Sequence, residues 1–485
     1  MSKKGVKKGN QIQAISYIKS YIKQLREKSA DNDSGTIIKD SQTADSSPKA
    51  SSKNIAYEFA DVAKKTWRIK AIASQKTLYV YDENRGYFKP HSKDEFGLFL
   101  FKKFKKPQEQ ILLKSNTVNE IFHYLSMAPE LQISLKDFNS TEEHLINLKN
   151  GVLNVKELSL KEHSPNYMFD YYLNVNFLEE EKYQKPEKFS KVLKQCFTEK
   201  EDRTLCKECL AYILSSNSSA KKVWFFVGEA NTGKSMLLRL ITRIIGEDFV
   251  AAIPLENLDG QFDLKSATHR RVNIVGEVSN LNLKNVTALK KITGKDKVRV
   301  EGKYEQSYFT TLNLKFLLAG NHLPRLDKAI SDDDGIKNRF RFLGFYNPLD
   351  ESERISDYDE ILYEEEGDHI FSMLMRKLNE LYERDFKFTE TENSRALNEK
   401  FGIIRNNSII RFVNECCEFV SDEKVSWKDL YNAYEHFCEY HCLTAQDKKS
   451  LWNYLDKLPS HPYKKKARIE SEENPVQTVF GVKLV

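Results

Sequence analysis

The sequence lacks long apolar runs and has little cysteine, and each shortage excludes a class of protein. No stretch approaches the ~18 consecutive apolar residues that a membrane-spanning helix needs. The lysines near the N-terminus are followed by no apolar core, so the sequence predicts no secretory signal. Seven cysteines in 485 residues do not indicate a disulfide framework. We therefore expect a cytosolic protein that has no membrane partner.

Positive charge is in only slight excess, so the net charge alone says little about nucleic acid. The chain has 76 Lys and Arg against 70 Asp and Glu, which gives a net charge of +6. The positions of the basic residues therefore carry more information than their number. With 40% hydrophobic residues the chain can bury sizeable cores, and its length predicts about three domains.

Aromatic residues are nearly absent between Ser29 and Asn54, where Ser, Asp, Lys and Ala dominate. This composition predicts a disordered linker. Before it, apolar residues at spacings of three and four over Ile12–Leu25 predict a helix. Such a helix either docks a protein partner or rests on the body of the chain, and the sequence leaves both open.

One stretch fits a phosphate-binding loop at every fixed position of the pattern G-x-x-x-x-G-K-[ST]. The apolar run Val223–Val227 predicts a buried strand before it, and Met236–Ile245 predicts a helix after it. Glycines let the backbone amides wrap a phosphate, Lys234 reaches the β- and γ-phosphates, and Ser235 ligates Mg²⁺. The sequence therefore predicts a site for ATP and Mg²⁺, formed by Gly228, Glu229, Ala230, Asn231, Thr232, Gly233, Lys234 and Ser235.

Two later strands end in polar residues that suit ATP hydrolysis. The apolar pattern of Arg271–Gly276 predicts a strand. Glu277 at its end is placed to support Mg²⁺ and the attacking water. Asn321 ends the next strand and suits contact with the γ-phosphate. Arg339 and Arg341 follow in the sequence. The guanidinium of either can neutralise transition-state charge at the nucleotide site of a neighbouring subunit. The predicted catalytic residues are Lys234, Glu277, Asn321, Arg339 and Arg341, with Ser235 and Glu277 as metal ligands.

The alternation of strand and helix patterns between residues 221 and 350, which includes a helical pattern over Leu283–Thr293, predicts a parallel sheet with crossover helices. Upstream, aromatic-rich runs predict hairpins over Thr77–Phe88 and Leu148–Leu160. Helices at 408–420, 427–441 and 448–457, followed by two strands, predict a winged helix. The predicted fold class is an α/β P-loop ATPase core with an α+β N-terminal domain and a C-terminal winged helix. The segments are a short helix plus linker (1–54), the α+β domain (55–200), the ATPase core (201–350), a helical connector (351–405) and the winged-helix-like unit (406–485).

The order of these elements resembles the superfamily-3 helicases of viruses, phages and plasmids. Within them the chain is similar to the phage and plasmid primase-helicase group, which includes the poxvirus primase-helicase and phage-satellite replication proteins. The match covers about residues 145–400. The stretches that carry it occur in order and are Gly228–Ser235, Val272–Glu277, Leu289–Asp296, Ala319–Pro324 and Asn338–Phe345, with Asn150–Leu153 and His163–Pro165 upstream.

The resemblance implies an AAA+-type core that assembles into a homo-oligomeric, hexameric ring and translocates on single-stranded DNA. It also implies a role in starting replication of a mobile element or virus, at an origin and in the cytosol of a bacterial host. The family often has two acids where Gly276 precedes Glu277, and two arginines where Asn338 precedes Arg339. Metal support therefore rests on fewer carboxylates, and the arginine that acts in trans is either Arg339 or Arg341. We find no pattern of an N-terminal primase.

Basic residues concentrate in two further stretches. Lys284–Glu305 holds seven basic and three acidic residues, and Lys297–Lys303 predicts a hairpin that turns at Gly302. The resemblance implies that this hairpin lies in the ring pore and grips one DNA strand, whereas a solvated basic surface is the plainer alternative. Lys464–Arg468 falls where a wing would contact duplex origin DNA. The predicted DNA-binding residues are Lys297, Arg299, Lys303, Lys464, Lys465, Lys466 and Arg468.

Two other functions fit the same ATPase pattern. One is a motor that remodels or packages DNA without separating its strands. The other is an origin-binding switch that hydrolyses ATP slowly and recruits a host helicase. The full set of predicted catalytic residues argues against the slow switch, and strand displacement on a forked substrate separates a helicase from both. We therefore predict an ATP-dependent DNA helicase.

Overall fold

A computed structural model describes residues 52–72, 75–104, 110, 113–139, 142–260, 263–278, 282–283, 286–302, 307–326, 333–348, 355–403, 408–440, 445–458, 460, 462–468 and 475–484. The described helices are α1 Ser52–Thr66, α2 Lys93–Lys103, α3 Ser115–Met127, α4 Glu187–Cys196, α5 Lys200–Leu214, α6 Lys234–Ile245, α7 Asp263–Ser266, α8 Thr287–Thr293, α9 Asp334–Lys337, α10 Tyr358–Glu383, α11 Glu392–Ile403, α12 Ser408–Cys416, α13 Trp427–Tyr440 and α14 Lys448–Leu455. None of them combines the length and apolarity needed to cross a lipid bilayer.

Strands form the rest of the regular structure, apart from short 3-10 helices in some of the connections. They are β1 Ile69–Ile72, β2 Thr77–Asp82, β3 Tyr87–His91, β4 Leu145–Leu148, β5 Gly151–Asn154, β6 Ser159–Lys161, β7 Val223–Gly228, β8 Val250–Ala251, β9 Val272–Val275, β10 Asn282–Leu283, β11 Lys297–Val300, β12 Tyr308–Thr311, β13 Lys315–Gly320, β14 Arg325–Leu326, β15 Phe340–Phe345, β16 Cys417–Glu418, β17 Lys424–Ser426, β18 Tyr463–Ala467, β19 Val476–Phe480 and β20 Lys483–Leu484. The helix predicted over residues 12–25 lies outside the described residues, as does most of the predicted linker. α1 begins at Ser52, within the last residues of that linker.

Residues 69–161 contain two antiparallel sheets of three strands each. β1, β2 and β3 pair in chain order, and so do β4, β5 and β6. The hairpins predicted over Thr77–Phe88 and Leu148–Leu160 are confirmed as β2–β3 and β5–β6. Each gains one strand that the sequence pattern did not reveal. α1 and α3 pack together and share one hydrophobic core with the first sheet.

A five-stranded parallel sheet occupies the middle of the chain, with the strand order β15-β7-β13-β9-β8. The parallel sheet predicted between residues 221 and 350 is therefore confirmed. Every residue of β7 and β13, two of the three inner strands, is buried. Strands with such continuous burial are typical of parallel sheets that are covered on both faces.

Alternate residues of β7 enter two different hydrophobic cores, because successive side chains of a strand point to opposite faces. Trp224 and Phe226 pack on one face with α6 and α10, whereas Phe225 and Val227 pack on the other with α8 and α11. The first core also takes in β4, β5, α4 and α5. The sheet and the residues before it thus share one core, and the predicted domain boundary after residue 200 stays a prediction.

The sequence placed one helix start wrongly. The helical pattern predicted over Leu283–Thr293 holds only from Thr287, because residues 282–283 form β10 and pair in parallel with β14. The hairpin predicted over Lys297–Lys303 is present as β11 and β12. Its second strand starts at Tyr308, and residues 303–306, including the predicted DNA contact Lys303, lie outside the described part.

Residues 409–484 build a separate hydrophobic core around α12, α13 and α14. These helices confirm the three predicted ones, and β18 and β19 confirm the two predicted strands. α12 ends at Cys416 rather than near residue 420, because Cys417 and Glu418 pair with β20. The short strand β17, which the sequence did not reveal, completes an antiparallel sheet of order β17-β19-β18.

Candidate nucleotide-binding site

The predicted phosphate-binding loop lies at the carboxyl end of an inner strand and leads directly into a helix. β7 ends at Gly228, and α6 begins after Gly233, its N-cap residue. Gly233 has φ +91° and Asn231 has φ +63°, both left-handed conformations. A Cβ atom at position 233 would also lie 2.7 Å from Cys196 Sγ. The loop therefore needs glycine here, and it curls over a helix N-terminus whose partial charge is positive.

The Lys234 side chain lies inside this loop and is only 6% exposed. Its ammonium donates to the carbonyl oxygen of Gly228 at 2.7 Å and to Thr232 Oγ1 at 3.2 Å. A third hydrogen bond goes to the carbonyl oxygen of Glu229. Burial lowers the pKa of Lys234 from its usual value. The site thus holds a desolvated cation that an anionic ligand would stabilise.

Glu277 and Asn321 lie beyond the ends of the two strands next to β7 on one side. Asn321 follows β13 directly, and Glu277 follows β9 after one glycine. The amide of Val278 donates to the carbonyl oxygen of Ala319 at 2.9 Å, which ties the Glu277 segment to β13. Both side chains line the same cavity as Lys234. The structure therefore brings three of the five predicted catalytic residues together.

This cavity has a volume of about 1030 Å³, which is in the range of small-molecule sites. Part of its wall comes from α4 and from the start of α10, which no sequence motif marked. Both helices are distant in sequence from the phosphate-binding motif, so only the folded structure brings them next to the loop. Burial raises the pKa of the Cys196 thiol to about 12, so this thiol stays uncharged beside the loop. The wall residues that the sequence did not reveal include Lys191, Gln195, Cys196, Arg239, Ile355 and Tyr358.

An ion pair joins the helix after the phosphate-binding loop to α10. The carboxylate of Asp359, which is 1% exposed, accepts from Arg239 Nε and Arg243 Nε at 2.8 Å each. Burial alone would raise the pKa of Asp359, but the two arginines outweigh it and hold that pKa below its usual value. Because Arg239 lines the cavity and Asp359 follows the lining residue Tyr358, this pair fixes one side of the site.

Neither of the predicted trans-acting arginines lines this cavity. Arg341 on β15 pairs with Trp224 on β7. Trp224 lies four residues before Gly228, the last residue of β7. The Arg341 side chain is 13% exposed and pairs with Glu390 at 2.8 Å. Arg339 precedes β15, and its Nε donates to Thr293 Oγ1 at 2.9 Å. Both arginines are thus remote from the site in their own chain.

The residues predicted to hold Mg²⁺ present suitable atoms to the cavity. The Ser235 hydroxyl and the Glu277 carboxylate both line it, and both residues are exposed. Mg²⁺ prefers oxygen ligands, keeps several waters and takes substrate phosphate oxygens rather than a complete protein cage. Within the part of the chain that the structure describes, no three His, Cys, Asp or Glu side chains converge as a metal site. The donor set therefore fits a metal that is bound together with the nucleotide.

Comparison with known families covers most of the chain in three parts. A model of D5 N terminal like proteins matches residues 49–198, a family of unknown function (DUF5906) matches residues 226–341, and a model of Poxvirus D5 protein-like sequences matches residues 404–472. Two of these three matches are to D5-like models, and together they support a D5-like primase-helicase family of phages and viruses. The resemblance stated from the sequence is thereby confirmed.

The chain also resembles solved structures at low identity. The apo C-terminal region of NrS-1 is 14% identical, with a TM-score of 0.47, and the match covers 88% of this chain and 98% of that one. A second apo structure of this region, residues 305–718, is 16% identical, with a TM-score of 0.44. That match covers 89% of this chain and 100% of the other. No protein with curated annotation matches this chain.

The predicted pore hairpin and the residues just before it carry less free positive charge than the sequence indicated. Lys297 and Arg299 are both exposed on β11. Arg299 donates to Glu301 at 2.6 Å, however. Lys290 and Lys295 pair with acids elsewhere in the chain. Of the basic residues of Lys284–Glu305 that the structure describes, Lys290, Lys295 and Arg299 are therefore engaged in ion pairs.

The basic residues of β18 have two different environments, because one packs on aromatic rings and the others are exposed. The Lys464 ammonium lies 3.6 Å from the ring centroid of Trp427 and 4.0 Å from that of Trp452. Burial lowers the pKa of Lys464. Lys464 therefore fastens β18 to α13 and α14 through its cation–π contacts. The exposed basic residues on this strand and next to it are Lys465, Lys466 and Arg468.

Proposed function

We propose that this chain is an ATP-dependent DNA helicase that assembles into an AAA+-type ring and starts the replication of a mobile element or virus. One observation carries the proposal: Lys234, Glu277 and Asn321 line a single cavity at the carboxyl edge of a parallel sheet. Ligands of open parallel sheets bind at this edge. Similarity to D5-like primase-helicase models supports replication as the setting.

Lys234 acts as the phosphate-binding cation. In the structure its ammonium donates to the carbonyl oxygens of Gly228 and Glu229. When a triphosphate enters, this ammonium turns from the carbonyl oxygens to the β- and γ-phosphate oxygens. The amides of the loop and the N-terminus of α6 supply further positive charge. Because the cation is already desolvated, the exchange gains a strong charge-assisted interaction.

Glu277 and Asn321 act at the γ-phosphate. The carboxylate of Glu277 orients the attacking water and accepts its proton, and the amide of Asn321 donates to a γ-phosphate oxygen. The Ser235 hydroxyl and the Glu277 carboxylate would hold Mg²⁺, which would supply positive charge to the β- and γ-phosphates. The hydrogen bond from Val278 to Ala319 keeps both side chains at neighbouring strand ends during this step.

Arg339 completes the site of the neighbouring subunit. It lies away from its own cavity, and a hydrogen bond to Thr293 and one to the carbonyl oxygen of Gly335 hold it at the surface before β15. Arg341 is the weaker candidate, because its guanidinium is mostly buried against Glu390. A guanidinium supplied in trans stabilises transition-state charge and couples hydrolysis to assembly. This favours a homo-oligomeric ring, with a hexamer as the expected form.

The β11–β12 hairpin contacts the translocating DNA strand, and the C-terminal unit contacts duplex origin DNA. Lys297 and Arg299 are exposed on the hairpin, and Lys303 follows β11 in the sequence. α12, α13 and α14 with the β17-β19-β18 sheet have the order of elements of a winged helix. Lys465, Lys466 and Arg468 supply the basic surface of the wing. Backbone contacts of this kind give salt-sensitive and sequence-tolerant affinity.

Strand displacement on a forked DNA substrate tests the proposal. We expect the purified full chain to separate the fork only when ATP and Mg²⁺ are both present, and to form rings visible by electron microscopy with an ATP analogue and the same fork. ATP hydrolysis without strand displacement would indicate a remodelling or packaging motor instead. Slow hydrolysis that DNA does not stimulate would indicate an origin-binding switch.

A further inference from the structure

The outer face of the β11–β12 hairpin does not have the composition of a merely solvated surface. Lys297 and Arg299 are exposed on β11, and Phe309 on β12 is 69% exposed. When one face of an antiparallel pair packs on a core, the other face normally carries polar residues. One exposed apolar side chain is common on protein surfaces, but the Phe309 ring shares its face of the hairpin with Lys297 and Arg299. Phe309 therefore invites a specific explanation.

The hairpin presents this face rigidly. Val298 and Val300, the inner residues of β11, are 3% and 0% exposed and pack in one core with Leu289 and Ile292 of α8. Because side chains alternate along a strand, burial of the two valines turns their neighbours outward. Phe309 is thus held on a paired strand that is anchored in the core of the ATPase sheet.

Phe309 and Arg299 are direct cross-strand partners in the hairpin register. Partners of this kind have Cβ atoms about 5 Å apart, so the ring and the guanidinium form one surface. Lys297, two residues before Arg299, extends the positive charge along the same face. A single nucleic-acid strand offers a phosphate beside the flat face of a base, and this surface matches both features.

We infer that Phe309 stacks on a base of single-stranded DNA while Lys297 and Arg299 hold the adjacent phosphates. The inference rests on the proposed function and adds to it a base-contacting residue that no motif marks. The carboxylate of Glu301 holds Arg299 at 2.6 Å, and a phosphate replaces it when the strand binds. Stacking on a phenyl ring accepts every base, as a motor that moves along arbitrary sequence requires.

The test compares two substitutions of Phe309 with one matched control in the full chain. Phe309→Leu keeps an apolar side chain but removes the aromatic face, and Phe309→Trp keeps that face. Tyr57→Leu removes a similarly exposed aromatic residue, 59% exposed on α1, outside the hairpin. Binding of fluorescein-labelled oligothymidylate is measured by anisotropy with a non-hydrolysable ATP analogue, and assembly is measured by sedimentation velocity in the same buffer.

We expect Phe309→Leu to weaken oligothymidylate binding by about 5- to 150-fold with unchanged assembly, as loss of one stacked base predicts. Phe309→Trp should bind like the original chain, and oligothymidylate should quench its fluorescence beyond the signal from the four native tryptophans. Equal binding by Phe309→Leu and the original chain would overturn the inference alone. Loss of assembly in Phe309→Leu would overturn it in favour of contact with a second copy of the chain. An original chain that binds no oligothymidylate would overturn the proposed function as well.

Discussion

A Cβ atom at Gly228 would lie 2.0 Å from the carbonyl oxygen of Phe345, its direct partner on β15. Gly228 also has φ +156°, a conformation that other residues rarely adopt. The phosphate-binding loop therefore leaves the sheet at a point where the backbones of β7 and β15 meet without room for any side chain. This contact explains why the first glycine of the motif is required by the fold as well as by the phosphate.

Gly228→Ala should lower both stability and nucleotide binding. We expect a loss of more than about 1 kcal/mol in the free energy of unfolding, because alanine must adopt a strained φ and push β15 away. Thermal unfolding and titration with a fluorescent ATP analogue measure the two effects. Gly276→Ala is the control for stability, since its Cβ would meet only Leu238 Cδ1 at 3.7 Å, an ordinary contact. A Gly228→Ala chain as stable as the control would contradict the geometry.

Lys234→Ala and Glu277→Gln should separate binding from hydrolysis. Lys234→Ala removes the phosphate-binding cation, so ATP affinity should fall by about 10-fold or more. Glu277→Gln keeps the shape of the site but cannot accept a proton, so the hydrolysis rate should fall by about 10²- to 10⁴-fold while ATP still binds. Equilibrium titration and steady-state ATPase assays distinguish the two. Equal loss of ATP binding in both variants would count against these roles.

Asp359→Asn should loosen the side of the cavity formed by α10 and destabilise the fold by about 1.5–3 kcal/mol, because Arg239 and Arg243 lose a buried charged acceptor. The pKa of Asp359 is lower in the folded chain than in the unfolded one, whose value is about 3.9. Its stabilisation is therefore complete above that value and disappears as pH falls through the lower folded value. The difference in Tm between the original chain and Asp359→Asn should thus be constant near neutral pH and shrink below about pH 4.

Glu360→Gln serves as the matched control for Asp359. Its carboxylate also contacts Arg243, at 3.0 Å, but its side chain is 48% exposed. An exposed ion pair contributes at most about 1 kcal/mol. An equal loss of Tm in the two variants would show that burial of Asp359 is not what makes its pair with the arginines important.

The sequence predicted which strand-end residues meet at the cavity better than it predicted the other walls of the cavity. Lys234, Glu277 and Asn321 each follow a mainly apolar strand, and parallel strands that share a sheet must end at the same edge. Their convergence could therefore be inferred from the order of the strands along the chain. Cys196 and Tyr358 could not, because nothing local in α4 or α10 encodes which helix packs beside the loop. The same limit applies to Lys464, whose place between two tryptophans depends on how β18 docks.

Arg339→Ala should bind ATP normally but lose about 10³-fold or more in hydrolysis, because the neighbouring site lacks its guanidinium. Mixing it with Lys234→Ala chains should restore part of the ATPase activity. Mixed rings contain some interfaces where an intact phosphate-binding loop faces an intact arginine. Arg341→Ala is the comparison, since loss of its contact with Glu390 should lower Tm without any rescue on mixing. Absence of rescue by Arg339→Ala at every ratio, in rings shown to exchange subunits, would shift the role to Arg341.

Substitutions on β18 should separate folding from duplex binding in the C-terminal unit. Lys464→Ala removes the cation between Trp427 and Trp452, so this unit should lose about 0.5–2 kcal/mol of stability.

The double substitution Lys465→Ala and Lys466→Ala touches only exposed side chains and should leave Tm unchanged. It should instead weaken duplex binding and reduce the slope of log affinity against log salt by about 2, since two phosphate contacts are lost. Anisotropy titrations with origin and random duplexes over a salt series measure this slope, beside an ATPase assay stimulated by single-stranded DNA. The ATPase should not change, because the wing does not line the nucleotide cavity. An unchanged salt slope in the double variant would mean that duplex DNA binds another surface of the chain.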